Sequence, residues 1–370
     1  MSEPKRVLQV VPNMQQGGLE NYVMNLYRNT DRDLVQFDFL EHYSTDHFFD
    51  EEIRDLGGRI YRIPLMEDKK RIPSYIKQLD RLYATHHYNV VHGHMATTAG
   101  LYLHAAKKHG VQNRILHAHE DSYIKNVRGY VRKFLIQHSS HDATQLFACS
   151  KSSGEYYYGS KNFSVLHNAI DTERFSFSRK QRNRIRGRYG LTDDNFVLCH
   201  VGRFSLQKNH DRLIDIFAEI YNHDPRAFMF LIGVGETQEH IKQKVHDLGL
   251  DASIAFIGNT GTPEQFYSAS DVFVLPSVFE GLPLTGVEAQ TNGLPCVFSD
   301  VITREVDLTG GNQYISLQSD DEVWTRKILH LRDNSRSIDR LRGIQDVRNA
   351  GYDVRSNASF LQKLYLSELG

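Results

Sequence analysis

Phe279-Glu280-Gly281-Leu282-Pro283-Leu284-Thr285-Gly286-Val287-Glu288-Ala289 directly follows the apolar run Val272 to Leu275. Four apolar residues ahead of a Gly- and Pro-bearing segment read as a buried strand ending in a loop, and proline is well suited to the first position of a helix. Strand, loop and helix are therefore predicted in that order. Glu280 falls in the loop and Glu288 about five residues into the helix, roughly 7 Å along its axis. The free N–H groups of Leu284, Thr285 and Gly286 at the helix start form an anion site, so this spacing suits a phosphate lying between two carboxylates that accept from hydroxyls. Taken alone, such a pair is more often two solvated glutamates.

The same alternation extends outward in both directions. Val7 to Val11 precedes an amphipathic stretch from Leu19 to Arg28; Phe37 to Leu40 precedes Phe48 to Leu56; Val90 to His92 precedes Thr97 to Lys108. After an Arg-rich stretch, Ser178 to Arg188, the runs Phe196 to Val201, Ala227 to Ile232, Ser253 to Ile257, Val272 to Leu275 and Cys296 to Phe298 repeat it. Strands alternating with helices imply parallel sheets covered by helices. The chain has 370 residues, enough for two cores. We expect an α/β protein of two Rossmann-like, doubly wound parallel-sheet domains facing a cleft. Their expected extents are 1–175 and 176–350, with a C-terminal helix in 351–370 crossing back to the first domain.

Bulk composition excludes several classes. Lys plus Arg total 44 against 45 for Asp plus Glu, a net charge of -1, so no basic domain marks a nucleic-acid partner. The apolar runs are far shorter than the roughly 18 residues of a membrane span, and no secretion signal opens the chain. A cytoplasmic protein, at most peripheral to a membrane, is expected. Cys149, Cys199 and Cys296 are odd in number and sit in apolar runs, as reduced core thiols do.

Other segments carry chemistry. Val201-Gly202-Arg203-Phe204-Ser205-Leu206-Gln207-Lys208 follows a strand and sets two cations where parallel sheets bind ligands. Arg203 suits bidentate pairing with phosphate, and Lys208 adds a mobile charge. Gly233-Val234-Gly235 allows close backbone approach, and Gly17-Gly18 allows a tight turn with bare backbone between the first strand and helix. His92-Gly93-His94 and His117-Ala118-His119 end two strands, each pair on one strand face. They read as buried hydrogen-bonding histidines or as a metal set, though no further ligand at suitable spacing accompanies them. Lys125, Arg128 and Arg132 line one face of a basic amphipathic segment and, with Lys69-Lys70-Arg71, are compatible with an anionic bilayer or with ordinary solvation.

Together these segments resemble the retaining glycosyltransferases of family 4, which have the GT-B fold. The resemblance runs from Gly17 through Asn168-Ala169-Ile170-Asp171 and Val201-Gly202-Arg203 to the Glu280/Glu288 pair and Gly293-Leu294-Pro295. It implies transfer of a sugar from a nucleotide diphosphosugar, with UDP the expected nucleotide, without a cofactor or an obligatory metal. By position it implies Glu280 on the sugar hydroxyls, Glu288 on the ribose, Arg203 and Lys208 on the diphosphate, and the backbone of Ile257, Gly258 and Asn259 on the base. The Leu284 and Thr285 amides would hold phosphate, Gly17 and Gly18 would approach it, and His119, or His117 two positions before it, would sit over the reacting sugar. Segments 36–40 and 56–61 look most like transferases of bacterial capsule and exopolysaccharide assembly, implying a glycan or lipid-linked glycan acceptor. A same-fold epimerase or phosphorylase, a metal-dependent hydrolase using the histidine pairs, and a silent sugar-nucleotide sensor are the rival readings.

Overall fold

A computed structural model describes residues 3–65, 72–119, 136, 137, 139–335 and 339–367, without the side chains of 333–335. Lys69-Lys70-Arg71 and the basic residues Lys125, Arg128 and Arg132 lie outside the described residues. The chain divides into two compact units, Met1–Ile170 with Asp353–Gly370, and Asp171–Tyr352.

The first unit contains β1 (Lys5–Val10), β2 (Val35–Glu41), β3 (Arg59–Arg62), β4 (Val90–Gly93), β5 (Asn113–Ala118), β6 (Gln145–Ala148) and β7 (Ser164–Val165) in the order β3-β2-β1-β4-β5-β6-β7. All these neighbours pair parallel. Strand alternation sorts the apolar side chains between two cores. Leu8, Val10, Val91 and Leu116 face one, and Val7, Val90, Ile115 and Phe147 the other. The second core is closed by the helix Val354–Leu366, whose Val354, Ala358, Leu361 and Tyr365 recur at three- and four-residue spacing. Asp353 starts that helix by accepting from the Ser356 amide at 3.3 Å, and the Val354 amide bonds the Ile170 carbonyl at 2.9 Å.

The second unit contains β8 (Val197–Val201), β9 (Phe228–Ile232), β10 (Ile254–Gly258), β11 (Val272–Leu275), β12 (Cys296–Ser299) and β13 (Gln313–Ile315) in the order β10-β9-β8-β11-β12-β13, again parallel. In both sheets the chain winds one way from a central strand and then returns to wind the other. The switch points lie between β1 and β4 and between β8 and β11, and ligands bind beyond the carboxyl ends of such strands. Cys149, Cys199 and Cys296 are all buried free thiols, and burial pushes the Cys199 thiol up to about 12.

Leu361 is 1% exposed, so Leu361→Ala should cost about 3 kcal/mol, from lost transfer energy and the cavity left behind. The single tryptophan, Trp324, lies in the second unit. Urea titration should show the far-UV circular dichroism midpoint falling while Trp324 fluorescence keeps a transition near the parent value.

Candidate active site

At the switch point of the second sheet, two loops are laced together. The Val278 amide donates to the Gln207 carbonyl at 2.8 Å, and Gln207 Nε2 donates to the Phe279 carbonyl at 3.1 Å. Asn209 adopts a left-handed φ of 56° and donates from Nδ2 to the Pro276 carbonyl at 3.2 Å. This lacing brings Lys208 and Glu280 into a 2.6 Å ion pair whose side chains are 16% and 8% exposed. Arg203 does not join them. Its guanidinium is 75% exposed and pairs at 3.1 Å with Glu236, itself 56% exposed, an arrangement worth little to stability.

The helix Leu284–Thr291 begins one residue later than expected, because Pro283 is extended and occupies the N-cap. The Gly286 amide is already bonded to the Pro283 carbonyl at 2.9 Å, so of the three amides expected to be free it drops out. Leu284 and Thr285 keep theirs directed out of the helix end. Thr285 Oγ1 is buried there without a hydrogen-bond partner among the described residues. One turn further, the Tyr267 hydroxyl donates to Glu288 Oε2 at 2.9 Å. The Glu288 side chain is half-buried, and loss of solvent pushes its carboxyl up to about 7 despite that hydrogen bond.

Ile257, Gly258 and Asn259 end β10, the edge strand. The register with β9 slips between Phe256 and Gly258, which leaves the Ile257 backbone bulged at the sheet rim. β9 separates β10 from β8, and the outer side of β10 presents peptide groups that no described strand pairs. Gly233 and Gly235 serve packing. A Cβ on either would collide with the backbone of Gly202 or Phe204, and the Phe204 amide bonds the Val234 carbonyl at 3.0 Å.

In the first unit, Gly17 is the uncapped N-cap of the helix Gly18–Arg28. The Glu20 carboxylate lies where a Gly17 side chain would begin, and burial raises its pKa, whereas Gly18 faces open space. The four histidines share one sheet face at the ends of β4 and β5. Adjacent ring centroids lie 4.0 to 5.9 Å apart, with His92 stacked on His94 and on His117. His92, His94 and His117 have candidate ligand atoms within 4.8 Å of one another. Even so, stacked planes do not converge on one point as tetrahedral ligands do, and His92 Nδ1, His117 Nε2 and both His94 nitrogens are already hydrogen-bonded. His94 Nδ1 meets His119 Nε2 at 2.8 Å, and His119 Nδ1 meets Asn168 Oδ1 at 2.6 Å. Glu41, His47 and Asp50 form a second convergent group, but the Arg62 guanidinium pairs with both carboxylates and supplies the cation itself.

Sequence reasoning did not identify Tyr267 as the partner of Glu288, or Gln9 and Asn168 as the ends of the histidine chain. These contacts join residues distant in sequence, and no local motif marks them.

Residues 181–344 match the model described as glycosyl transferases group 1, and residues 16–174 that of glycosyltransferase family 4. The chain is 31% identical to the putative glycosyltransferase EpsF of Bacillus subtilis (strain 168), over 98% of this chain and 97% of that one. It is 29% identical to the UDP-Gal:alpha-D-GlcNAc-diphosphoundecaprenol alpha-1,3-galactosyltransferase of Escherichia coli, over 65% of this chain and 64% of that one. Its fold is similar to that of HepE from Anabaena, solved in complex with UDP, with a TM-score of 0.77, 16% identity, and coverage of 98% and 99% of the two chains. The two sheets are thus those of a GT-B fold.

The raised Glu288 pKa sets a sign for pH dependence. Since its folded value of about 7 exceeds the ordinary glutamate value of 4.5, its contribution is most favourable below about pH 4.5 and is lost as pH rises through about 7. In thermal melts from pH 5 to 8, Glu288→Gln should gain stability relative to the parent as pH rises.

Proposed function

Because the chain belongs to the family-4 glycosyltransferases, we propose that it moves a hexose from a nucleotide diphosphosugar, most simply a UDP-sugar, to a glycan hydroxyl with retention at the anomeric carbon. The observation that carries this reading is the gathering of Lys208, Glu280 and the open helix end at Leu284 and Thr285 around one switch point, with Glu288 a turn beyond. The donor's parts match these groups in order. The Ile257 to Asn259 rim takes the base, Glu288 the ribose hydroxyls, Lys208 with the two amides the diphosphate, and Glu280 the sugar hydroxyls. UDP in HepE and the UDP-Gal named for the Escherichia coli relative support the choice of nucleotide.

Lys208 is held by Glu280 before any donor arrives. A bound diphosphate offers Lys208 a second anion, and sugar hydroxyls offer Glu280 replacement donors, so donor binding exchanges one set of charge-assisted bonds for another. As the bond from the anomeric carbon to the diphosphate oxygen lengthens, charge grows on that oxygen, and Lys208 and the helix end stabilise it. Once the donor is bound, Glu280 is taken up by the sugar hydroxyls and does not serve as a nucleophile, which favours a front-face route over double displacement. The acceptor oxygen then bonds to the anomeric carbon on the side the diphosphate leaves, and its proton passes to the departing phosphate oxygen. His119 is assigned to the reacting sugar, while Gly17 and Gly18 leave backbone open for phosphate. Arg203 takes part after exchanging Glu236 for a phosphate oxygen.

For the acceptor, the diphosphoundecaprenol-linked sugar named for the Escherichia coli relative, with the likeness of segments 36–40 and 56–61 to capsule and exopolysaccharide transferases, supports a lipid-linked glycan met by a peripheral cytoplasmic enzyme. Among the described residues no helix is long and apolar enough to cross a membrane.

The test is release of nucleoside diphosphate from UDP-, GDP- and ADP-sugars, with a polyprenyl-diphosphate-linked sugar as acceptor, with and without chelator. Chelator-resistant release from one donor, with product of retained configuration, is expected. Lys208→Ala and Glu288→Ala should each lower turnover about a hundredfold or more, as loss of a transition-state contact does. Near-normal rates in both variants would remove the site assignment.

A further inference from the structure

Gln9 on β1, His92 and His94 from β4, and His117 and His119 from β5 share the sheet face that the helix Val354–Leu366 covers, with Tyr365 bonded to His92 Nδ1 at 2.6 Å. From Gln9 a continuous chain runs toward the switch point. Gln9 Oε1 lies 2.9 Å from His94 Nε2, His94 Nδ1 lies 2.8 Å from His119 Nε2, and His119 Nδ1 lies 2.6 Å from Asn168 Oδ1.

Three hydrogen bonds need three protons, and two neutral imidazoles supply only two. A third proton on the pair would make a buried imidazolium. Desolvation opposes that, pushing His94 well below the usual histidine range, and charge on neighbouring His92 or His119 would push it the same way. The missing proton is available from an amide. Gln9 Nε2 is buried near the Tyr365 hydroxyl and makes no hydrogen bond of good geometry among the described residues, and the two ends of a carboxamide are interchangeable in shape. With the Gln9 amide turned over, Nε2–H donates to His94 Nε2, His94 Nδ1–H donates to His119 Nε2, and His119 Nδ1–H donates to Asn168 Oδ1. Every bond then has one donor, and the chain runs in a single direction.

We propose that His94 is a positioning residue for His119 and that Gln9 sets the direction of the chain, together fixing the His119 ring in one orientation as the neutral imidazole with its proton on Nδ1. This rests on the reading that His119 acts on the reacting sugar. Positioning matters there because displacement of a reacting or supporting group by about 1 Å can cost a hundredfold in rate. The two histidine pairs, His92-Gly93-His94 and His117-Ala118-His119, thus divide their work. His92 and His117 anchor to Tyr365 and to the Leu166 carbonyl, the latter at 3.1 Å, and His94 holds His119.

The test uses the full chain labelled with ¹⁵N-histidine, reading each ring's tautomer from two-bond proton–nitrogen correlations and assigning His119 by its loss in His119→Gln. The expected parent signal is a neutral Nδ1–H tautomer for His119 at pH 7. His94→Leu should lose that single tautomer and about tenfold to a hundredfold in kcat, with KM for the active sugar nucleotide within about twofold. His94→Asn, which keeps a polar atom near the place of Nδ1, should recover much of both. Should His94→Leu fail to fold, Gln9→Glu decides the matter. It leaves only acceptors at both ends of the chain, so an imidazolium signal should appear. An Nε2–H tautomer or an imidazolium in the parent, or unchanged His119 signal and kcat in His94→Leu, would overturn the proposal. Full activity in His119→Gln would instead overturn the reading it rests on, leaving the tautomer result as it stands.

Discussion

Every described strand pairing in both sheets is parallel, and that constraint organises the rest. A parallel strand cannot be joined to its neighbour by a tight turn, so each must release a loop at its carboxyl edge and return through a crossover. All carboxyl-end loops of a sheet therefore gather on one rim. Where the winding reverses, two adjacent loops diverge and leave a crevice. Lys208 and Glu280 stand on two such diverging loops, and Gly17 and His94 stand on another two. The chemistry is thus brought together by the sheets, through residues far apart in sequence.

Electrostatics then determine what the crevice of the second unit can hold. A nearly buried lysine requires a counter-charge, and Glu280 provides it at 2.6 Å. The pair ties the loop after β8 to the loop after β11. Glu288 is treated differently. Its side chain accepts a hydrogen bond from neutral Tyr267 rather than from a cation, and desolvation raises it to about 7. Hydroxyl donors favour its ionised form, as the Tyr267 bond does in part against the cost of desolvation.

The sequence was most legible where chemistry is local. Proline at 283, the apolar run before it and the eight-residue spacing of Glu280 and Glu288 announce strand, loop and helix within seventeen residues. The central strands β1, β8 and β11 are apolar runs long enough to recognise. The edge strands β3, β7 and β13 were passed over because Arg59–Arg62, Ser164–Val165 and Gln313–Ile315 are short and polar, and an edge requires no apolar run. Gly233 and Gly235 show the opposite failure: a motif that suggests ligand approach is instead filled by the backbone of Gly202 and Phe204. Arg203 lies in the expected loop, yet which way a long exposed side chain turns depends on Glu236, a residue on another strand's loop.

What stayed hidden shares one physical cause. Gln9, Tyr267, Asn168 and Tyr365 matter because a buried polar atom must find a partner wherever the fold provides one, at whatever distance along the chain. Tyr365 shows how far this reaches. It closes an apolar core with its ring and, through its hydroxyl, satisfies His92, which lies 273 positions earlier in the chain. A helix that looks like a mere cover in sequence is therefore tied to the histidine face through a polar contact as well as an apolar one. That makes the C-terminal segment part of what holds the first unit's rim in place.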